Sequence, residues 1–226
     1  MTGQTSPSPH HPLDWRETDL GPVPVSLQFD DPFYSLQGGL AETRHVFLAG
    51  NGLPARFRDG FHVAELGFGT GLNFLTTLQA FRDARVPGRL RFTSFEAYPL
   101  APDALARALA PFAADLPIDL LRRVADLRGP DFDLRVVIGD AGETVRCWDD
   151  RADAWFLDGF SPAKNPGLWT PPIIAAVADH TGPGGTAATY SAAGHVRASL
   201  TDAGFTVDRV PGFGRKRHMT IARKDG

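Results

Sequence analysis

HVAELGFGTGLNFLTTLQAFRDA (residues 62–84) decides the fold. It opens as a short apolar run, turns through three alternating glycines and continues with helical spacing. Leu72, Leu75, Leu78 and Arg82 fall on one face at intervals of three and four. Gly67, Gly69 and Gly71 let the backbone turn sharply and approach a ligand closely. The following helix presents its free N–H groups at that point. Strand, glycine loop and helix in this order open a βαβ unit.

The same alternation continues downstream. Strands are predicted at 90–96, 134–140, 154–159 and 185–190, with a final pair at 205–210 and 219–223. Helices are predicted over PDALARALAPF and SAAGHVRASLTDAG. The pattern predicts a parallel, doubly wound sheet. The last two strands are joined too briefly for a helical crossover, so they should form an antiparallel hairpin. Upstream, residues 13–60 are an N-terminal extension punctuated by Pro and Gly, with one helix near 39–49 stopped by Asn51-Gly52. Residues 1–12 are rich in Ser, Pro and Thr and are expected to be a disordered tail. Residues 61–226 are the expected catalytic core.

Composition narrows the function classes. With 226 residues the chain can bury one large α/β core. A net charge of −3 gives no global basic field, so a nucleic-acid partner would need a local patch. A single cysteine, Cys147, excludes a disulfide framework and a cysteine zinc site. The histidines lack metal-ligand spacing and no HExxH occurs, so no metal is expected. No apolar run approaches a membrane span, and MTGQTSPSPHHP does not read as a secretory signal. The expected location is the cytoplasm, and a monomer is the default.

The glycine loop excludes some ligands. A dinucleotide fingerprint needs glycine where Leu72 stands, and the GK[ST] ending of a phosphate loop is missing. E-x-G-x-G-x-G instead resembles the first motif of class I methyltransferases, which bind S-adenosylmethionine. Gly67, Phe68, Gly69, Thr70 and Gly71, with Asn73 in the first helical turn, are then the cofactor loop. Glu65 suits a cationic ligand. Four consecutive strands each end in a carboxylate: Glu65, Glu96, Asp140 and Asp158. Ligands bind outside these strand ends in open α/β sheets. Glu96 is placed to accept both hydroxyls of a ribose, and Asp140 to accept from an adenine amino group.

Longer motifs narrow the reading. DDPFYSLQGGLAETRHVFLAGN, ELGFGTGLNF, FEAYPL, DAWFLDGFSPAKNPGLW, TYSAAGHVRASLTDAGF and GFGRKRHM occur in this order. From about residue 22 to the end the chain resembles the tRNA 5-aminomethyl-2-thiouridine methyltransferases. These occur as stand-alone proteins and as the N-terminal half of a bifunctional wobble-uridine enzyme. The resemblance implies a Rossmann-like class I fold, with a mostly parallel seven-stranded sheet whose last strand is antiparallel. It implies methyl transfer from S-adenosylmethionine to the primary amine of 5-aminomethyl-(2-thio)uridine in tRNA. The bifunctional relatives carry a further FAD-dependent half. This chain stops at Gly226, so only the methylation is expected of it.

Within that resemblance, Asp158 is the expected catalytic residue, an acceptor that orients the amine. Phe160 and Trp169 are close enough in sequence to sandwich a flipped uracil. Phe33 and Tyr34 belong to a stretch expected to fold over the site as a lid, as core or as stacking residues. Lys164 contacts a phosphate or pairs with a carboxylate. Arg215, Lys216 and Arg217, beside His218, form the dense basic cluster expected to meet tRNA phosphates. Two other readings stay open: a methyltransferase acting on another amine, and a non-catalytic binding module.

Overall fold

The computed structural model describes residues 11–226. Three strands come first: β1 (Leu13–Thr18), β2 (Gly21–Ser26) and the two-residue β3 (Asp31–Pro32), paired antiparallel in that order. α1 (Gly39–Glu42) runs directly into a π-helical turn, Thr43–Leu48, and a 3₁₀ turn, Ala49–Asn51. The remaining elements are β4 (His62–Leu66), α2 (Leu72–Asp83), β5 (Leu90–Glu96), α3 (Pro102–Leu109), β6 (Leu127–Arg128) and β7 (Phe132–Ile138), followed by α4 (Ala141–Thr144), β8 (Ala152–Leu157), α5 (Pro171–Asp179), β9 (Thr181–Thr189), α6 (Gly194–Asp202), β10 (Phe205–Pro211) and β11 (His218–Lys224).

The main sheet has the order β10-β11-β9-β8-β4-β5-β7-β6. Its centre is parallel, while β11 runs antiparallel to both β10 and β9. The chain moves outward from β4 through β5 to β7, then returns to lay β8 on the other side of β4. Strand order therefore reverses between β4 and β8, the place where open α/β sheets bind ligands.

Alternation along the central strands divides the core into two layers. Val63, Phe92, Ala154 and Phe156 meet α2, α3 and the π-helical turn on one face. Leu66, Phe95, Trp155 and Leu157 meet α5 and α6 on the other. Leu72, Leu75 and Leu78 are buried, and Arg82 ends the same face by pairing with Asp131 at 2.6 Å. No helix among the described residues is long and apolar enough to cross a membrane.

The structure departs from the sequence reading in several places. The sheet has eight strands rather than seven, the extra one being the short antiparallel β6 on an edge. The helix expected near 39–49 is a single α-turn followed by a wider π-turn, ending at Gly52 in the left-handed region (φ 69°). α5, which the sequence reading did not assign, begins with two prolines that fit the first helical positions, where the missing N–H costs nothing. β2 also carries prolines. They sit opposite Glu17 and Trp15, outside the residues of β2 that are in register with β3. The expected tail lies outside the described residues except for His11 and Pro12, and His11 is packed, not disordered.

Candidate active site

The carboxyl ends of β4, β5, β7 and β8 open into a cavity of about 620 Å³. Gly67, Gly69 and Gly71 have φ of 86°, 52° and 72°, a region that favours glycine. A Cβ at Gly67 would lie 2.8 Å from the backbone oxygen of Asp158. The loop after β4 and the loop after β8 are therefore in backbone contact, which only glycine permits.

Glu96 closes one end of the cavity. Its carboxylate accepts from the Gly69 N–H at 2.8 Å and from the Tyr98 N–H at 2.7 Å. Burial pushes its carboxyl up, and the backbone N–H groups oppose that shift. Asp140 lines the same end and caps α4 by accepting from the Gly142 N–H at 2.8 Å.

Asp158 stands at the centre. Asn73, in the first turn of α2, donates both amide hydrogens: to Asp158 Oδ2 at 2.7 Å and to Glu65 Oε1 at 2.8 Å. Thr43 Oγ1, from the π-helical turn, donates to Asn73 Oδ1 at 2.8 Å and fixes the amide's orientation. Ser94 Oγ donates to the other oxygen of Glu65 at 2.7 Å. Glu65 is fully buried, and burial drives its carboxyl well above the ordinary range. Asp158 keeps one face on the cavity but lies deep in the protein. Loss of water pushes its carboxyl up to about 7; the Asn73 amide opposes this and the nearby Glu42 carboxylate adds to it. Such a group changes protonation near neutrality, which suits proton handling.

The N-terminal strands form the opposite wall. Asp31 accepts from the Ser161 N–H at 2.7 Å, and Asp30 pairs with Lys164 at 2.5 Å. Phe29, Phe33 and His11 gather around Phe160, with Phe29 stacked at 4.8 Å and Phe33 edge-on at 5.0 Å. The Tyr34 hydroxyl lies 3.0 Å from both the Pro22 and the Ala108 carbonyl oxygens, tying β2 to the end of α3. Across the cavity mouth, the turn between β10 and β11 contributes Arg215 and Lys216.

The structure brings together Gly67, Phe68, Gly69, Thr70, Asn73, Glu96, Asp140, Asp158, Phe33, Tyr34, Phe160, Arg215 and Lys216 around one cavity. Five other candidates lie off it. Glu65 sits beneath it and acts through Asn73. Gly71 is the left-handed residue that starts α2. The Phe160–Trp169 sandwich does not form: Trp169 is buried and donates from its indole to the Phe160 carbonyl at 2.8 Å, so it supports the loop from below. Lys164 is engaged by Asp30, the carboxylate alternative of its two readings. Arg217 does not line the cavity. The sequence reading missed Glu42, Thr43 and Tyr190. Tyr190 follows β9 directly, a strand-end position like the four acids. Glu42 and Thr43 sit in a helical stretch with no local signal of chemistry.

Fold and site together define a class. Residues 109–225 match the family model of an S-adenosyl-L-methionine-dependent methyltransferase, and the chain belongs to that family. It is 45% identical to the tRNA 5-methylaminomethyl-2-thiouridine biosynthesis bifunctional protein MnmC of Caulobacter vibrioides, over 98% of this chain and 39% of that protein. It is 47% identical to the protein of the same description from Chromohalobacter salexigens, over 92% of this chain and 32% of that protein. The chain thus spans well under half the length of these relatives. It also resembles the crystal structure of MnmC2 from Aquifex aeolicus, with a TM-score of 0.77 and 28% identity over 94% of this chain and 70% of that one.

Proposed function

We propose that the protein transfers a methyl group from S-adenosylmethionine to the primary amine of 5-aminomethyl-(2-thio)uridine at the tRNA wobble position, giving the 5-methylaminomethyl form. The observation that carries this reading is Asp158: a carboxylate fixed by Asn73, facing the cavity and touching the cofactor loop through its backbone.

The residues at one end of the cavity fit the cofactor. Glu96 and Asp140 offer acceptors, no lysine or arginine among the described residues lines that end, and the glycine loop leaves room for close backbone approach. This donor set suits a ribose, an adenine amino group and a cationic sulfonium, and would repel a pyrophosphate. When bound, the cofactor supplies an electrophilic methyl carbon. Gly67, Phe68, Gly69 and Thr70 would hold it with Glu96 and Asp140, while Asn73, whose amide hydrogens are taken by Asp158 and Glu65, would act by fixing Asp158.

The chain's own residues then handle the amine. An alkylamine with a pKa of about 10 is mostly ammonium at neutral pH and lacks the lone pair needed for attack. Asp158 would take one proton from the ammonium, accept a remaining N–H so that the freed lone pair points toward the cofactor end of the cavity, and pass the proton on to water. Phe160, with Phe29 and Phe33 around it, supplies an apolar face for the uracil ring. Arg215, which lines the cavity from the β10–β11 turn, would be available to a phosphate. Such a reaction belongs in the cytoplasm, where tRNA is modified.

The test is methyl transfer from labelled S-adenosylmethionine to tRNA bearing 5-aminomethyluridine, with unmodified tRNA alongside. Label is expected only in the modified tRNA. Cofactor binding without transfer to that tRNA would discard the tRNA substrate and leave a methyltransferase for another amine.

A further inference from the structure

Glu42, Tyr190 and Lys216 line the cavity beside Asp158 and come from three distant parts of the chain. Lys216 Nζ lies 2.9 Å from Glu42 Oε1 and 3.8 Å from the centre of the Tyr190 ring. Tyr190 donates its hydroxyl to the Gly159 carbonyl at 2.6 Å, which holds the ring in place and presents its face to the cavity. A carboxylate and an aromatic face converging on one nitrogen are the two elements that recognise an alkylammonium. The group they hold here is one, the ε-ammonium of a lysine.

Two features separate this arrangement from an ordinary ion pair. The partners are unequal: the Glu42 side chain is 11% exposed, whereas that of Lys216 is 44% exposed and comes from the turn between β10 and β11. The lysine can swing out to solvent, while the carboxylate stays in place and is reached through the cavity. Two carboxyl groups, Glu42 and Asp158, also face this end of the cavity; Lys216 pairs directly with Glu42, while Asp158 is hydrogen-bonded by Asn73 and the Gly159 N–H.

We propose that Glu42 and the face of Tyr190 form a binding site for the substrate's primary ammonium, that Lys216 occupies it in the structure as an internal stand-in, and that the substrate amine displaces the lysine as it docks beside Asp158. This rests on the amine-methylation reading above. It adds a selectivity step: the amine is captured as a cation by Glu42 and Tyr190, then passes to Asp158 for deprotonation. An uncharged 5-substituent of the same size cannot displace Lys216.

The test uses the full chain saturated with S-adenosylhomocysteine and two nucleosides, 5-aminomethyluridine and 5-hydroxymethyluridine. Their affinity ratio isolates the ammonium, because the rest of the ligand is shared and no phosphate is present. The wild type should prefer the amine. Lys216→Gln, which removes the competitor, should widen the preference by about tenfold, roughly the strength of a desolvated cation–π contact. Glu42→Gln should shrink the ratio about tenfold, leaving only what Tyr190 and Asp158 supply. Equal affinities in the wild type, a preference undiminished in Glu42→Gln, or a preference unchanged or reduced in Lys216→Gln would overturn the proposal. Lys216 is on a surface turn, so its variant stays informative if Glu42→Gln folds poorly. An amine preference without methyl transfer to modified tRNA would keep this site and discard the tRNA reading.

Discussion

Asp158 shows how a single residue's chemistry is set by its surroundings. Its carboxyl ordinarily releases a proton near 3.8, but in the folded protein it does so at about 7. Between those values the folded chain holds a proton that the unfolded chain has released, so this residue's contribution to stability declines as pH rises from about 4 to 7. Asp158→Asn never ionises. The variant should therefore gain melting temperature relative to wild type at pH 8, and gain less or none at pH 5. Calorimetric scans at the two pH values check this, since other titrating groups cancel in the comparison. At this scale the sequence was informative about strand-end acids and silent about their partners. The spacing of Glu65, Asn73 and Asp158 gives no sign that one amide bridges both carboxylates. That bridge requires α2 to start directly above the β4–β8 junction, which is a fact of packing.

Among elements, the glycine loop and the N-terminal strands do different work. Gly67→Ala places a Cβ at a φ of 86° and against the Asp158 carbonyl. It should lower the unfolding free energy by about 2 kcal/mol or more, and weaken cofactor binding because both loops must shift. Denaturant unfolding and cofactor titration would show both effects. Tyr34→Phe removes only the hydroxyl that ties β2 to the end of α3. A destabilisation of about 1 kcal/mol is expected, with cofactor affinity little changed; a large drop in affinity with unchanged stability would argue instead that the hydroxyl touches a ligand. The strands from β4 onward, apart from the short edge strand β6, and the helices α2, α3 and α6 were legible because strand and helix periodicity alternate cleanly there. The small N-terminal sheet was not, because the prolines of β2 hide a strand whose partner β3 pairs only with its far end. α5 was hidden for a related reason, its leading Pro171-Pro172 masking a helix start.

Across the whole molecule, the tRNA substrate proposed above would meet an acidic chain through its basic turn. A net charge of −3 leaves Arg215, Lys216 and Arg217 as the dense basic cluster of the sequence. RNA affinity should fall steeply with salt. Replacing Arg215 or Arg217 with Ala should reduce the slope of log affinity against log salt by about one for each phosphate that is no longer neutralised. An unchanged slope in both variants would place the RNA elsewhere. The turn could be read from sequence as a basic hairpin. That it folds back to deliver Lys216 into the cavity is a matter of long-range packing, in which His45 meets the Pro211 carbonyl at 3.1 Å across most of the chain length.

The most direct measurement is single-turnover methyl transfer to a 5-aminomethyluridine anticodon stem–loop by wild type and Asp158→Asn, with cofactor affinity measured in parallel. The role proposed for the carboxylate in accepting the amine predicts a rate reduction of about a hundredfold or more in the variant, with cofactor binding preserved. A variant that transfers methyl at the wild-type rate would contradict it.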